Sequence, residues 1–105
     1  MKIENSFKQI QKLIDDWIKK HGGYWPPLSM LAAVMEELGE LSKEINSLEG
    51  HKPKKGEIIK SSLGDELADL IYSIVCIANY YKVDLDEEFK KVMKKYSERD
   101  SERFL

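Results

Sequence analysis

Apolar residues return every three or four positions through the first part of the chain, at Ile3, Phe7, Ile10, Leu13, Ile14, Trp17 and Ile18. That spacing keeps them on one stripe of a 3.6-residue turn and predicts an amphipathic first helix. His21-Gly22-Gly23 ends it, because paired glycines reach backbone conformations that other residues avoid. Tyr24-Trp25-Pro26-Pro27 follows as a stiff extended link, since proline disfavours helix in the residue before it. A second helix is predicted from about Ser29 to Leu48, with Leu31, Met35, Leu38, Leu41 and Ile45 turned to the core. Glu49 to Lys60 reads as a polar turn segment punctuated by Gly50, Pro53 and Gly56. Ser62 with Asp65 makes the pattern of a capping box for a third helix carrying Leu63, Leu67, Leu70, Ile74, Ile77 and Tyr81. Asp84 with Glu87 repeats it for a fourth, which holds Leu85, Phe89, Val92 and Met93. No run alternates with period two for long enough to demand a strand, and no internal repeat is visible. The expected fold is all-α, four helices in a single domain spanning residues 1–105.

Charge narrows the partners. Nineteen acidic and 17 basic residues leave a formal charge of -2, too small a balance to draw in a nucleic acid polymer. No stretch approaches the roughly 20 apolar residues that span a bilayer, and MKIENSFKQI lacks the apolar core of a signal peptide. Cys76 is the one cysteine and sits in the apolar run LIYSIVCIA, where it reads as a small buried hydrophobe. A reducing, cytoplasmic location is expected.

The informative chemistry is acidic. VMEELGELSKEI (34–45) and GDELADLIYSI (64–74) each carry two acids three apart, Glu37 with Glu40 and Glu66 with Asp69. Three apart means one helix face. Measured from the centre of its own core stripe, Glu37 lies roughly 80° round and Glu40 roughly 140° round, and Glu66 and Asp69 repeat these offsets in the same sense. In antiparallel neighbours equal senses become mirror images, so the two pairs either face each other or both face away. The turn segment between the helices is short enough for an antiparallel hairpin. Carboxylates on helix flanks are often only a solvated face, and converged carboxylates repel each other. A divalent cation removes that conflict, and oxygen donors without His or Cys suit Mg²⁺ or Mn²⁺ better than Zn²⁺. A di-iron bundle would need Glu-x-x-His pairs, and neither His21 nor His51 follows a Glu by three.

Glu36-Glu37-Leu38-Gly39-Glu40, followed after residues 41–65 by Glu66-Leu67-Ala68-Asp69, resembles the EExxE…ExxD signature of MazG-like nucleotide pyrophosphohydrolases. GGYWPPLSMLAAVMEELGELSKEI, LGDELADLIYSIVCIAN and the YSERDSERF tail extend the resemblance to short, single-domain members over nearly the whole chain. The resemblance implies Mg²⁺-dependent hydrolysis of a nucleoside triphosphate between the α and β phosphates. By position, Glu37, Glu40, Glu66 and Asp69 would hold the metal, and Glu36 would orient water or a ligand. The substrate pocket is expected to draw on Asn79 for sugar or base and on Lys91, Lys95 and Arg99, which recur every four residues, for phosphate. Lys95 is followed by Tyr96 where many members have an asparagine after the lysine. Trp17, with Tyr24 and Trp25, would stack on a base or else pack in the core. The resemblance further implies a homo-oligomer, a dimer or tetramer, with a pocket shared between chains. Two alternatives stand beside this reading: a catalytically silent helical module with the same fold, and a pyrophosphohydrolase acting on a phosphoribosyl-nucleotide.

Overall fold

In the computed structural model the described residues are 6–50 and 56–101, with side chains described over 6–50 and 62–99. They form four helices and, among themselves, no strand: α1 (Phe7–Lys20), α2 (Pro27–Glu49), α3 (Gly56–Tyr80) and α4 (Leu85–Ser101). Ile3, His51, Pro53 and the end of the YSERDSERF tail lie outside the described residues.

Local chemistry explains most of the boundaries. Ser6 caps α1 reciprocally with Gln9: the Gln9 N–H donates to Ser6 Oγ at 3.3 Å, and the Ser6 N–H to Gln9 Oε1 at 3.2 Å. Gly22 and Gly23 take φ of 106° and 88° just past its end, the left-handed region open to glycine. Pro26 and Pro27 open α2, where a missing N–H costs nothing. Asp84 Oδ1 accepts the Glu87 N–H at 3.2 Å and caps α4, as the sequence pattern implies. The third helix differs from expectation. It begins at Gly56, so Ser62 lies inside it rather than at its cap. Pro53 is the last helix breaker in that stretch, and Glu57 to Ser61 continue the helix once it has started.

α2 and α3 form the main hairpin, α1 packs along α3, and among the described residues the only substantial packing of α4 is against α1. Phe7 stacks on Phe89 at 4.9 Å, and both Asp86 carboxylate oxygens accept the first N–H groups of α1, from Phe7 and Lys8, at 3.1 Å. No described helix is long and apolar enough to cross a membrane.

The expected core stripes are displaced. Met30, Val75, Cys76 and Ala78 are the buried hydrophobic residues of the described set, and Val75 is 1% exposed. On α2 the stripe facing α3 runs Met30, Val34, Glu37 and Leu41, while Leu31, Met35, Leu38 and Ile45 are exposed. On α3 the facing stripe runs Leu63, Glu66, Leu70, Ser73 and Ile77, and Leu67, Ile71, Ile74 and Tyr81 are exposed. On α4, Leu85 is half-buried, whereas Phe89, Val92 and Met93 are exposed. The exposed apolar stripes of α2 and α3 lie about 100° round from the facing stripes in one rotational sense. In antiparallel helices that puts both on the same side of the hairpin, as one continuous apolar face. The radius of gyration, 16.9 Å, exceeds the roughly 13 Å of a compact chain this long.

Candidate active site

The hairpin resolves the choice between facing and diverging acids. Glu37 and Glu66 sit on the mutually facing stripes, and a carboxylate oxygen from each of Glu37, Glu66 and Asp69 lies within 4.8 Å of the other two. Glu40 is one turn on from Glu37 and does not join this group; its nearest cation is Lys43, at a loose 3.9 Å. Its charge still reaches Glu66. Glu36 is exposed, on the outer side of α2.

Glu66 bears the strain of the arrangement. Burial first, then the charges of Glu37, Glu40 and Asp69 and a hydrogen bond with Glu37, hold its carboxyl above the ordinary value. Its Oε2 is buried with no hydrogen-bond partner. A buried carboxylate oxygen without a donor is costly, and a cation is the partner that would relieve both the orphan oxygen and the mutual repulsion. The donor set is all carboxylate, which fits a hard divalent ion.

One helical turn away lies an aromatic cavity of about 300 Å³, lined by Trp17, His21, Tyr24, Trp25 and Tyr72, with the buried Met30 and Cys76 also in its lining. Ala33 and Ser73 line it too. They sit four residues before Glu37 and four after Asp69, so cavity and acids are about 6 Å apart along the helices. His21 stacks on Trp17 at 4.2 Å between ring centres, and its Nδ1 donates to the Trp17 carbonyl at 2.7 Å. Burial pushes the Cys76 thiol up, in keeping with an inert packing residue.

The remaining expected residues are placed differently. Asn79 is engaged with Gln11 of α1, its Oδ1 accepting from Gln11 Nε2 at 2.9 Å. Lys91, Lys95 and Arg99 are exposed on α4, Lys91 beside Glu88 at 3.3 Å and Lys95 and Arg99 over the Tyr96 ring. α4 does not pack substantially on the hairpin that carries the acids. Sequence reasoning missed His21 and Ser73 as cavity residues and Gln11 altogether. The four-residue steps from Asp69 to Ser73 and from Ala33 to Glu37 were the available signal for the cavity; Gln11 carried none.

Residues 26–104 match the family model of the MazG nucleotide pyrophosphohydrolase domain. The chain is 38% identical over 102 residues to the protein YpjD of Bacillus subtilis, an alignment covering 96% of this chain and 92% of that protein. The crystal structure of YpjD superposes with a TM-score of 0.81, covering 90% of this chain and 98% of that one. A Bacillus-conserved MazG protein, a nucleotide pyrophosphohydrolase, is similar at a TM-score of 0.75 and 33% identity over 91% of this chain and 93% of that one.

Proposed function

The chain belongs to the MazG nucleotide pyrophosphohydrolase family, and from that premise we propose that it hydrolyses nucleoside triphosphates to the monophosphate and pyrophosphate. The observation that carries the reading is the convergence of Glu37, Glu66 and Asp69 one turn from an aromatic cavity. Base stacking and polyphosphate chemistry need those two features side by side.

Glu37, Glu66 and Asp69 would hold Mg²⁺, or Mn²⁺ in its place, with Glu40 drawn in from the next turn. The ion supplies charge neutralisation on the phosphates and acidifies water. Trp17, Trp25 and Tyr72 offer faces for the base, and the groove then directs the α phosphate down the hairpin toward the acids. Glu36, next to Glu37 on the outer side, orients water or an outer ligand. The cluster itself, among the described residues, is carboxylates alone, so direct attack by water is the route these residues support.

The continuous apolar face on the other side of the hairpin supports a homo-oligomer, at least a dimer. Because α4, among the described residues, does not pack substantially on its own chain's acid hairpin, Lys91, Lys95 and Arg99 would meet phosphate oxygens bound to a neighbouring copy. A reducing cytoplasm suits the free, buried Cys76.

Incubation with Mg²⁺ and a panel of nucleoside triphosphates should release monophosphate and pyrophosphate in equal amounts. In ¹⁸O water the label should enter the monophosphate. Accumulating diphosphate would refute the reaction, and no turnover over the panel would favour a silent module.

A further inference from the structure

Behind the aromatic wall runs a chain of side-chain hydrogen bonds that the carboxylate chemistry does not require. Gln11 of α1 is its hub. Its Nε2 donates to Asn79 Oδ1 at 2.9 Å and to the Val83 carbonyl at 2.8 Å, while Oε1 accepts the Leu85 N–H at 3.1 Å. Asn79 returns the contact, Nδ2 donating to the Gln11 carbonyl at 2.9 Å. Tyr24 lines the same surface hollow as Asn79 and Gln11, and its hydroxyl donates to Asp15 at 2.5 Å. Lys19 holds Asp15 from the next turn at 2.9 Å. Two sets of bonds anchored on α1, at Gln11 and at Asp15, thus tie it to the end of α3, the start of α4 and the Gly22-Gly23-Tyr24 link. Tyr24 is the member that also lines the cavity.

Two features make this network decisive for the cavity. The first is that α1 has no fully buried residue, its Phe7, Ile10, Ile14 and Ile18 being only half-buried, so apolar packing defines where it sits less tightly than it does for the hairpin. Directional bonds must supply much of that definition. The second is saturation: both amide N–H groups of Gln11 and its oxygen are in use, a combination only a primary amide of this length offers. Trp17 lies six residues on, about 9 Å along the helix, and its place over the cavity follows from how α1 is seated.

We propose that Gln11 and Asn79 are positioning residues for nucleotide recognition, seating α1 and Tyr24 so that Trp17 and Trp25 close the cavity around the base. The proposal rests on reading the cavity as the nucleoside site. Asn79 then acts on substrate through Gln11 and the seating of α1 rather than by touching it.

Both tryptophans of the chain line the cavity, so their emission reports on it. Gln11→Leu removes both donors and the acceptor; Gln11→Glu keeps an acceptor for the Leu85 N–H and loses the donors. In a Trp25→Phe background, acrylamide quenching reads Trp17 alone. Each Gln11 variant should raise the Trp17 quenching constant at least about twofold with helix content unchanged, since a loosened wall admits water. In hydrolysis with Mg²⁺, KM for the triphosphate should rise about tenfold and kcat stay within about twofold, the pattern of lost uniform binding. Unchanged quenching with unchanged KM would overturn the proposal, and so would a fall in kcat at constant KM. If Gln11→Leu loses helix content, Gln11→Glu decides. If the parent protein hydrolyses nothing, the functional reading fails by itself, and titrating tryptophan emission with adenosine and cytidine monophosphates decides the inference. Binding in the parent that weakens in the variants upholds it; no binding in the parent, or equal binding in all, defeats it.

Discussion

Ile71→Lys should convert an oligomer into a monomer. Ile71 lies in the middle of the apolar face formed by Leu31, Met35, Leu38, Ile45, Leu67, Ile71 and Ile74, which are 43% to 64% exposed in the single chain. Fully burying such a side chain contributes about 1.5–3 kcal/mol. With about half of each left to cover, the face offers roughly 1 kcal/mol per residue, or about 7 kcal/mol per copy and 14 kcal/mol for a symmetric pair. Association costs roughly 4–15 kcal/mol. The surplus therefore runs from near zero to about 10 kcal/mol, the upper part of which corresponds to micromolar affinity or tighter. In a twofold pair one substitution counts twice. Two unpaired ammonium groups in that interface cost several kcal/mol each, more than the surplus can offset. Sedimentation velocity over a range of about 1 to 100 µM reads the outcome directly, with circular dichroism to confirm that the helices persist. A parent protein that stays monomeric at the top of that range and is fully active would refute the reasoning, as would a variant that still pairs.

Two further outcomes follow from the acids and from the α1 network. Mg²⁺ at about 100 times its Kd should stabilise the fold by about 2.7 kcal/mol, a rise of roughly 10 °C or more in Tm for a domain this size. Asp69→Asn or Glu40→Gln should abolish turnover and most of that gain while leaving helix content intact; full turnover in either would remove that residue from the assignment. Asp15 is held below its ordinary value of 3.8, first by the Tyr24 hydroxyl and then by Lys19. A depressed carboxylate adds stability above its unfolded value and loses it as pH falls through the folded one. The stability gap between the parent and Asp15→Asn in urea should therefore be largest near neutrality and shrink below about pH 4; a gap constant from pH 7 to 3 would show that the Asp15 charge contributes nothing.

Much of this molecule is written in its periodicity. The helix stop at His21-Gly22-Gly23, the Asp84 cap and the approach of Glu37 to Glu66 and Asp69 are local or one-turn signals and were legible, whereas Glu40 stays outside that group. The rotation of each helix about its own axis was not. α2 carries two apolar stripes, and the richer one, Leu31-Met35-Leu38-Ile45, is the exposed one, while the stripe facing α3 includes Glu37. Reading the most hydrophobic stripe as the core assumes that the chain buries it alone. The start of α3 was obscured because Gly56 serves equally as a turn residue and as a first helical residue. Gln11 was illegible for a different reason: a glutamine on a surface helix is ordinary, and only the tertiary approach of Asn79, Val83 and Leu85 gives it partners.

The division of labour between the helices has an evolutionary consequence. All five acids, Glu36, Glu37, Glu40, Glu66 and Asp69, lie on α2 and α3, inside the stretch that matches the family domain from residue 26 onward. α1 and its cap precede that stretch and supply Trp17, Ile18 and His21 to the cavity but no acid. The cavity is thus lined from two lengths of chain, α1 and the link after it on one side and Met30, Ala33, Tyr72, Ser73 and Cys76 of the acid-bearing hairpin on the other. Changes in α1 can recut the mouth of the cavity without touching the helices that carry the acids. Grafting a foreign α1 onto residues 26–104 is accordingly a direct way to exchange selectivity between relatives.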